Sequence, residues 1–130
     1  MKRCLSILAL AVAAAALAPA SASAERALDS YCSPSGDFCI AIAGSKRQPE
    51  FVLRSFAFAG QYKLCLKSPS HDRECGWWRL KKGRHGVYAS RVSIADSFFL
   101  TEPGHYRVSA FYAEQQLGRG LDFDHGKAAA

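Results

Sequence analysis

The chain has 130 residues, with 17 Lys or Arg, 11 Asp or Glu and five cysteines, and a formal net charge of +6. That length accommodates one domain. The positive charge lacks the density of a dedicated nucleic-acid binder, so nucleic acid is not an expected partner.

Met1-Lys2-Arg3 is a short basic start, followed by an uncharged run of mostly Ala, Leu and Val from Leu5 to Leu17. Pro19 breaks the run, and Ala22-Ser23-Ala24 supplies the small-x-small pattern of a signal-peptide cleavage site. At about 13 residues the run falls short of the roughly 18 expected of a bilayer span. Residues 1–24 therefore read as a signal peptide, and the protein as secreted or periplasmic. Cys4 precedes the apolar run and leaves with it. Removing Lys2 and Arg3 leaves 15 basic residues against 11 acidic in a mature chain of 106 residues, a net charge of about +4. No long apolar run follows Ala24, so no membrane insertion is expected after cleavage.

Residues 25–125 read as a single domain and 126–130 as a disordered tail. Glu25–Ser30 reads as frayed. Short runs rich in β-branched and aromatic residues, bounded by Gly, Pro or charged turns, predict seven strands. These lie at Phe38–Ala43, Phe51–Ala59, Gln61–Lys67, Cys75–Lys82, Val87–Ala95, His105–Ala113 and Gly118–Asp124. A helical turn is expected near Ala95–Thr101. "GQYKLCLK" from Gly60 and "GHYRVSAF" from Gly104 form a faint internal echo, each followed by a loop and a second strand.

The mature chain carries Cys32, Cys39, Cys65 and Cys75, an even set that reads as a disulfide framework with three possible pairings. In "QYKLCLK" and "CGWWRLKK" alternation puts Tyr62, Leu64, Leu66, Trp78 and Leu80 on one face and Cys65 and Cys75 on the other, charged face. "KSPSHDRE" between them is rich in turn formers. Two cysteines on one face of a hairpin meet across the ladder, which favours Cys65–Cys75 and leaves Cys32–Cys39 to close the "SPSGDF" bend. Short loops of this kind give about 2–3 kcal/mol per bridge in the chain-entropy treatment. The intervals C-x6-C and C-x9-C and the scattered His71, His85, His105 and His125 do not match zinc-ligand spacings, so no metal or other cofactor is expected.

Seven short strands with regular turn signals predict an all-β fold, a two-sheet antiparallel β-sandwich, with a small β-barrel as the alternative. "EPGHYRV", Glu102–Val108, resembles the tyrosine corner of immunoglobulin-like domains, where a Tyr hydroxyl bonds back to nearby backbone; the tyrosine here is Tyr106. Val108 stands where antibody-type domains place their second cysteine, so these cysteines staple hairpins rather than join sheets. Together with the Cys32–Asp37 stretch "CSPSGD", "GQYKLC", "PGHYRV" and "LGRGLDF", this makes the mature chain resemble small exported immunoglobulin-like bacterial proteins. The resemblance implies a disulfide-stapled sandwich and export, and brings no catalytic residues with it.

Enzyme readings find little support. There is no G-x-S-x-G turn, no cysteine expected to be free, and no Gly-rich phosphate loop opening a helix. Asp122 and Asp124 share a strand face but alternate with Leu121 and Phe123 as solvent-facing residues do. The expected function is non-catalytic binding or interaction, centred on "GWWRLKKGRHG". There Trp77 points outward beside Arg79 and Lys81, with Arg84 in the following turn. An exposed Trp among cations suits a sugar ring bearing carboxylate or phosphate, which makes an anionic glycan of the cell surface a candidate partner. The opposing reading has Trp77 packed over the Cys65–Cys75 bridge, with the cations merely solvating an edge. Alternatives from other classes are a structural domain that meets another extracytoplasmic protein through an edge strand, and a small inhibitor presenting a stapled loop.

Overall fold

Large apolar residues at every second position build most of the strands in the computed structural model, which describes residues 27–126. The strands are β1 (Asp29–Cys32), β2 (Phe38–Gly44), β3 (Pro49–Ser55), β4 (Gln61–Lys67), β5 (Arg73–Arg79), β6 (Lys81–Lys82), β7 (Tyr88–Ser93), β8 (Gly104–Tyr112), β9 (Gln115–Gln116) and β10 (Leu121–His125). One helical turn, α1 (Ile94–Ser97), follows β7. The first sheet has the order β1-β2-β3-β7-β6 and the second β10-β8-β4-β5, with β9 also paired to β8. Every pairing is antiparallel. The fold is an all-β two-sheet sandwich. The expected signal peptide, residues 1–24, lies outside the described residues, as do positions 127–130 of the expected tail.

The core forms where the two inner faces meet. Ile40, Ile42, Phe51, Leu53 and Val92 come from the first sheet; Tyr62, Leu64, Leu66, Tyr106, Val108, Leu121 and Phe123 come from the second. Burying each of the larger aliphatic or aromatic side chains stabilises the fold by about 1.5–3 kcal/mol. Two tyrosines sit fully inside and keep their hydroxyls satisfied. Tyr62 donates to Ser90 Oγ across the sandwich at 2.7 Å, and Tyr106 donates to the Glu102 carbonyl at 2.6 Å. The second of these is the back-bond expected of "EPGHY".

Both disulfides have the expected pairing. Cys32 faces Cys39 across β1 and β2, and Cys65 faces Cys75 across β4 and β5, each with Cα atoms 4.1 Å apart. Each bridge staples a hairpin within one sheet.

Ten strands stand where seven are expected: β9 is an addition, the Phe51–Ala59 strand ends at Ser55, and two further differences have a clear cause. The segment expected to fray contributes Asp29 and Ser30 to β1. Arg119 from the far end of the chain holds it there, binding both Asp29 carboxylate oxygens at 2.9 and 2.7 Å and the Ser30 carbonyl at 3.0 Å. The expected Cys75–Lys82 strand is two strands in different sheets. Leu80 turns into the core, its N–H bonds to the Gly60 carbonyl at 2.9 Å, and Lys81 emerges paired with Ala89 of β7.

Asp29 also accepts the Asp122 N–H at 2.9 Å, so one carboxylate ties β1 to β10 and closes that side of the sandwich. Chiefly because of its bond to Arg119, the Asp29 carboxyl is held at about 2 against an ordinary 3.8. A depressed folded-state value contributes stability that is present above the unfolded value and lost as pH falls through the folded one. Asp29→Asn is expected to lower the unfolding free energy by about 1 kcal/mol at neutral pH, a modest amount because Arg119 is half exposed. Urea denaturation should show that difference shrinking as pH falls from 4 towards 2.

Candidate functional site

The Cys65–Cys75 bridge sets the register of β4 on β5, and β4 pairs in turn with β8. The outward side chains of the second sheet therefore fall into rows. Trp77, Lys63 and Phe111 form one row across β5, β4 and β8. Cys75, Cys65 and Ser109 form the next, and Arg73, Lys67 and Arg107 the one after. Arg107 is followed on β10 by Asp122.

Trp77 is 65% exposed, which settles against its packing under neighbouring side chains. Its outward aim follows from the inner face of β5. There Trp78 lies against Phe98, with ring centroids 5.4 Å apart, and its indole covers Gly76 so closely that a Cβ would sit 2.5 Å from it. With that face filled by Trp78, Trp77 has the solvent side. Lys63 lies opposite, its ammonium 5.9 Å from the Trp77 ring and 5.0 Å from the Phe111 ring. The Arg73 guanidinium stands 5.7 Å from Phe111 and donates to Cys65 Sγ at 3.3 Å. Attraction of cations to ring faces supports these placements.

Of the expected site residues, Trp77 and Arg79 share this face, Arg79 opposite Gln61. Lys81 and Arg84 do not. Lys81 belongs to β6 in the first sheet, and Arg84 opens the 3₁₀ turn Arg84–Gly86 beyond it. The cause is the crossing at Leu80, which ends the alternation that would have carried Lys81 along β5. The four cysteines among the described residues are bridged, so none of these offers a thiol.

Residues that expectation passed over complete the surface: Lys63, Lys67, Arg73, Arg107 and Phe111. Three of them had a signal, because pairing Cys65 with Cys75 in a hairpin places Lys63 opposite Trp77 and Lys67 opposite Arg73. Arg107 and Phe111 come from a non-local pairing.

Charge is unevenly compensated on this face. Arg107 donates to both oxygens of Asp122, at 2.8 and 3.4 Å, and His105 bridges Asp122 and Asp124 at 3.1 and 3.3 Å. The Asp122 carboxyl is lowered by Arg107 foremost. Lys63, Lys67, Arg73 and Arg79 have no carboxylate partner within ion-pair distance among the described residues. Nor is any group of three or more His, Cys, Asp or Glu among those residues placed to hold a metal ion. No helix among them is long and apolar enough to cross a membrane.

The loop at the charged end is held firmly. Glu102 Oε1 accepts from Ser70 Oγ at 2.6 Å and from Ser70 N at 3.2 Å, so the residue whose carbonyl receives Tyr106 also anchors the β4–β5 loop carrying His71.

At the aromatic end Gln61, Lys63, Trp77, Phe111 and Glu114 line a groove of about 410 Å³. Its rim is the two-residue β8–β9 turn Ala113-Glu114, in which both residues have positive φ, 49° and 67°. Hairpin turns of that sense favour Asn-Gly, and each non-glycine residue there costs of order 1 kcal/mol or more. Replacing Ala113-Glu114 by Asn-Gly is expected to raise stability by about 1–2 kcal/mol in urea denaturation. No family model, curated protein or solved structure matches the chain.

Proposed function

We propose that the protein is an exported, non-catalytic, immunoglobulin-like module that binds an anionic cell-surface glycan on the outer face of its β10-β8-β4-β5 sheet. The observation that carries this reading is the row Trp77–Lys63–Phe111. It combines a largely exposed indole, a second ring and an unpaired ammonium in register on a rigid sheet. A sugar ring stacks on the indole, and its carboxylate or sulfate meets Lys63 and Arg79. Export is supported by two disulfides, which persist in oxidising compartments, and by the basic, apolar, small-residue order of positions 1–24. The immunoglobulin-like assignment is supported by the Tyr106 back-bond and by the chain's passage between sheets at Leu80.

A second reading has β5 as a contact strand for another extracytoplasmic protein. It is favoured by the seven-residue length of this edge strand and by Phe99, 79% exposed, whose N–H bonds to Glu74 of β5. The free Trp77 face gives the glycan reading precedence.

Iodide is expected to quench the wild-type emission strongly, and Trp77→Ala to remove the quenchable part. Polygalacturonate should shift the wild-type spectrum and neutral dextran should not. Because Trp77 is exposed, Trp77→Ala should change stability by less than about 0.5 kcal/mol while weakening polygalacturonate binding about tenfold or more. A stability loss without any response to polygalacturonate or heparin would overturn the assignment.

A further inference from the structure

Lys67 is placed where a sheet has no internal use for a cation. It stands directly opposite Arg73 on β5 and directly opposite Arg107 on β8, so three positive side chains form one row across three adjacent strands. Facing residues in a ladder have Cβ atoms about 4.5–5.5 Å apart, and like charges there destabilise the pairing. Asp122 neutralises only one end of the row, where Arg107 and His105 already occupy it. Lys67 and Arg73 are left uncompensated among the described residues. Their groove, about 430 Å³, is further lined by His71, Ser109 and Gln116, with no acidic side chain in its wall. Phe111 and Cys65 Sγ give Arg73 weak partners, but among the described residues no carboxylate meets Lys67 or Arg73, which points to an external counter-charge.

We propose that Arg73, Lys67 and Arg107 form an anion subsite for the sulfate, phosphate or carboxylate groups of a linear polymer that runs along the strands to Trp77. This rests on the glycan reading of the aromatic row and adds a second point of attachment to it. Lys67 lies four positions along from Lys63, and Trp77 four along from Arg73, a distance of about 13 Å along an extended strand. Across the row between them, Cys75–Cys65–Ser109, the Arg73 guanidinium reaches over Cys65 Sγ toward the Phe111 ring, so a cation lies along the path between the two ends. A ligand touching both ends is therefore an oligosaccharide several units long, with its charge repeated along its length.

The test is calorimetric titration of the oxidised protein with a heparin disaccharide, a heparin hexasaccharide and inorganic sulfate, against Lys67→Gln, Trp77→Ala and Lys46→Gln. The last removes the same charge from the β2–β3 turn of the other sheet. The hexasaccharide should bind wild type at least tenfold more tightly than the disaccharide. Lys67→Gln should lose about tenfold in hexasaccharide affinity, the scale of one charge-assisted contact, while Lys46→Gln loses little. Relief of the row's repulsion should leave the unliganded thermal midpoint of Lys67→Gln equal to wild type or about 2–4 °C higher in low salt. Equal hexasaccharide binding by Lys67→Gln and wild type would overturn the subsite, even if Trp77→Ala abolished binding and so upheld the aromatic platform. The reverse result, with loss in Lys67→Gln and none in Trp77→Ala, would overturn the platform and the path to it. Sulfate bound as tightly as the hexasaccharide would overturn the polymer assignment.

Discussion

The outer face depends on one pairing, Cys65 directly opposite Cys75. A covalent bridge between facing residues permits one register, and in a strand a slip of a single residue exchanges the two faces. A slip here would drive Trp77 and the cations toward the core and turn Trp78 and Leu80 outward. Burying Arg73 and Arg79 without counter-charges would be far more costly than the bridge is stabilising. The hydrophobic pattern and the disulfide thus enforce the same alignment, and the rows across β5, β4 and β8 follow from it.

Much of this was legible in local sequence. Alternation around Cys65 and Cys75, the turn formers between them and the even cysteine count lead to the correct bridges without any non-local information. The motif "EPGHY" announces its own hydrogen bond, because the Tyr106 hydroxyl reaches only four residues back. The misreadings share a physical cause: they required knowledge of distant partners. Asp29 and Ser30 form a strand because Arg119 holds them in place, and nothing near residue 29 signals that. Lys81 leaves the Trp77 face because Leu80 prefers the core to a continued strand, and apolar alternation reads the same through such a crossing. Phe111 and Arg107 join the site through the β4–β8 pairing, hinted at only by the likeness of "GQYKLCLK" to "GHYRVSAF". That likeness has a structural counterpart: the two strands lie side by side at the centre of one sheet, and each buries its tyrosine completely.

The core and the loop beside the charged row are joined at Glu102. Its backbone carbonyl receives the buried tyrosine, while its carboxylate holds Ser70 and hence the loop beside the charged row. The Glu102 carboxyl is lowered by those bonds to Ser70, which favour its charged form. The loop nearest the cations is therefore ordered by the core, so binding an anion as proposed would cost little conformational entropy there.

Asp29 has a consequence for the molecule's connectivity. By binding Arg119 and the Asp122 backbone, it brings the first and last strands of the described chain side by side, at the opposite end of the second sheet from β5. Anything joined through either strand's outer end hangs on that closed flank, while Trp77 stands on β5 at the other edge of the sheet. Such an arrangement would tolerate rewiring: a short linker could join the ends, with new ones opened in an exposed loop such as that between β2 and β3.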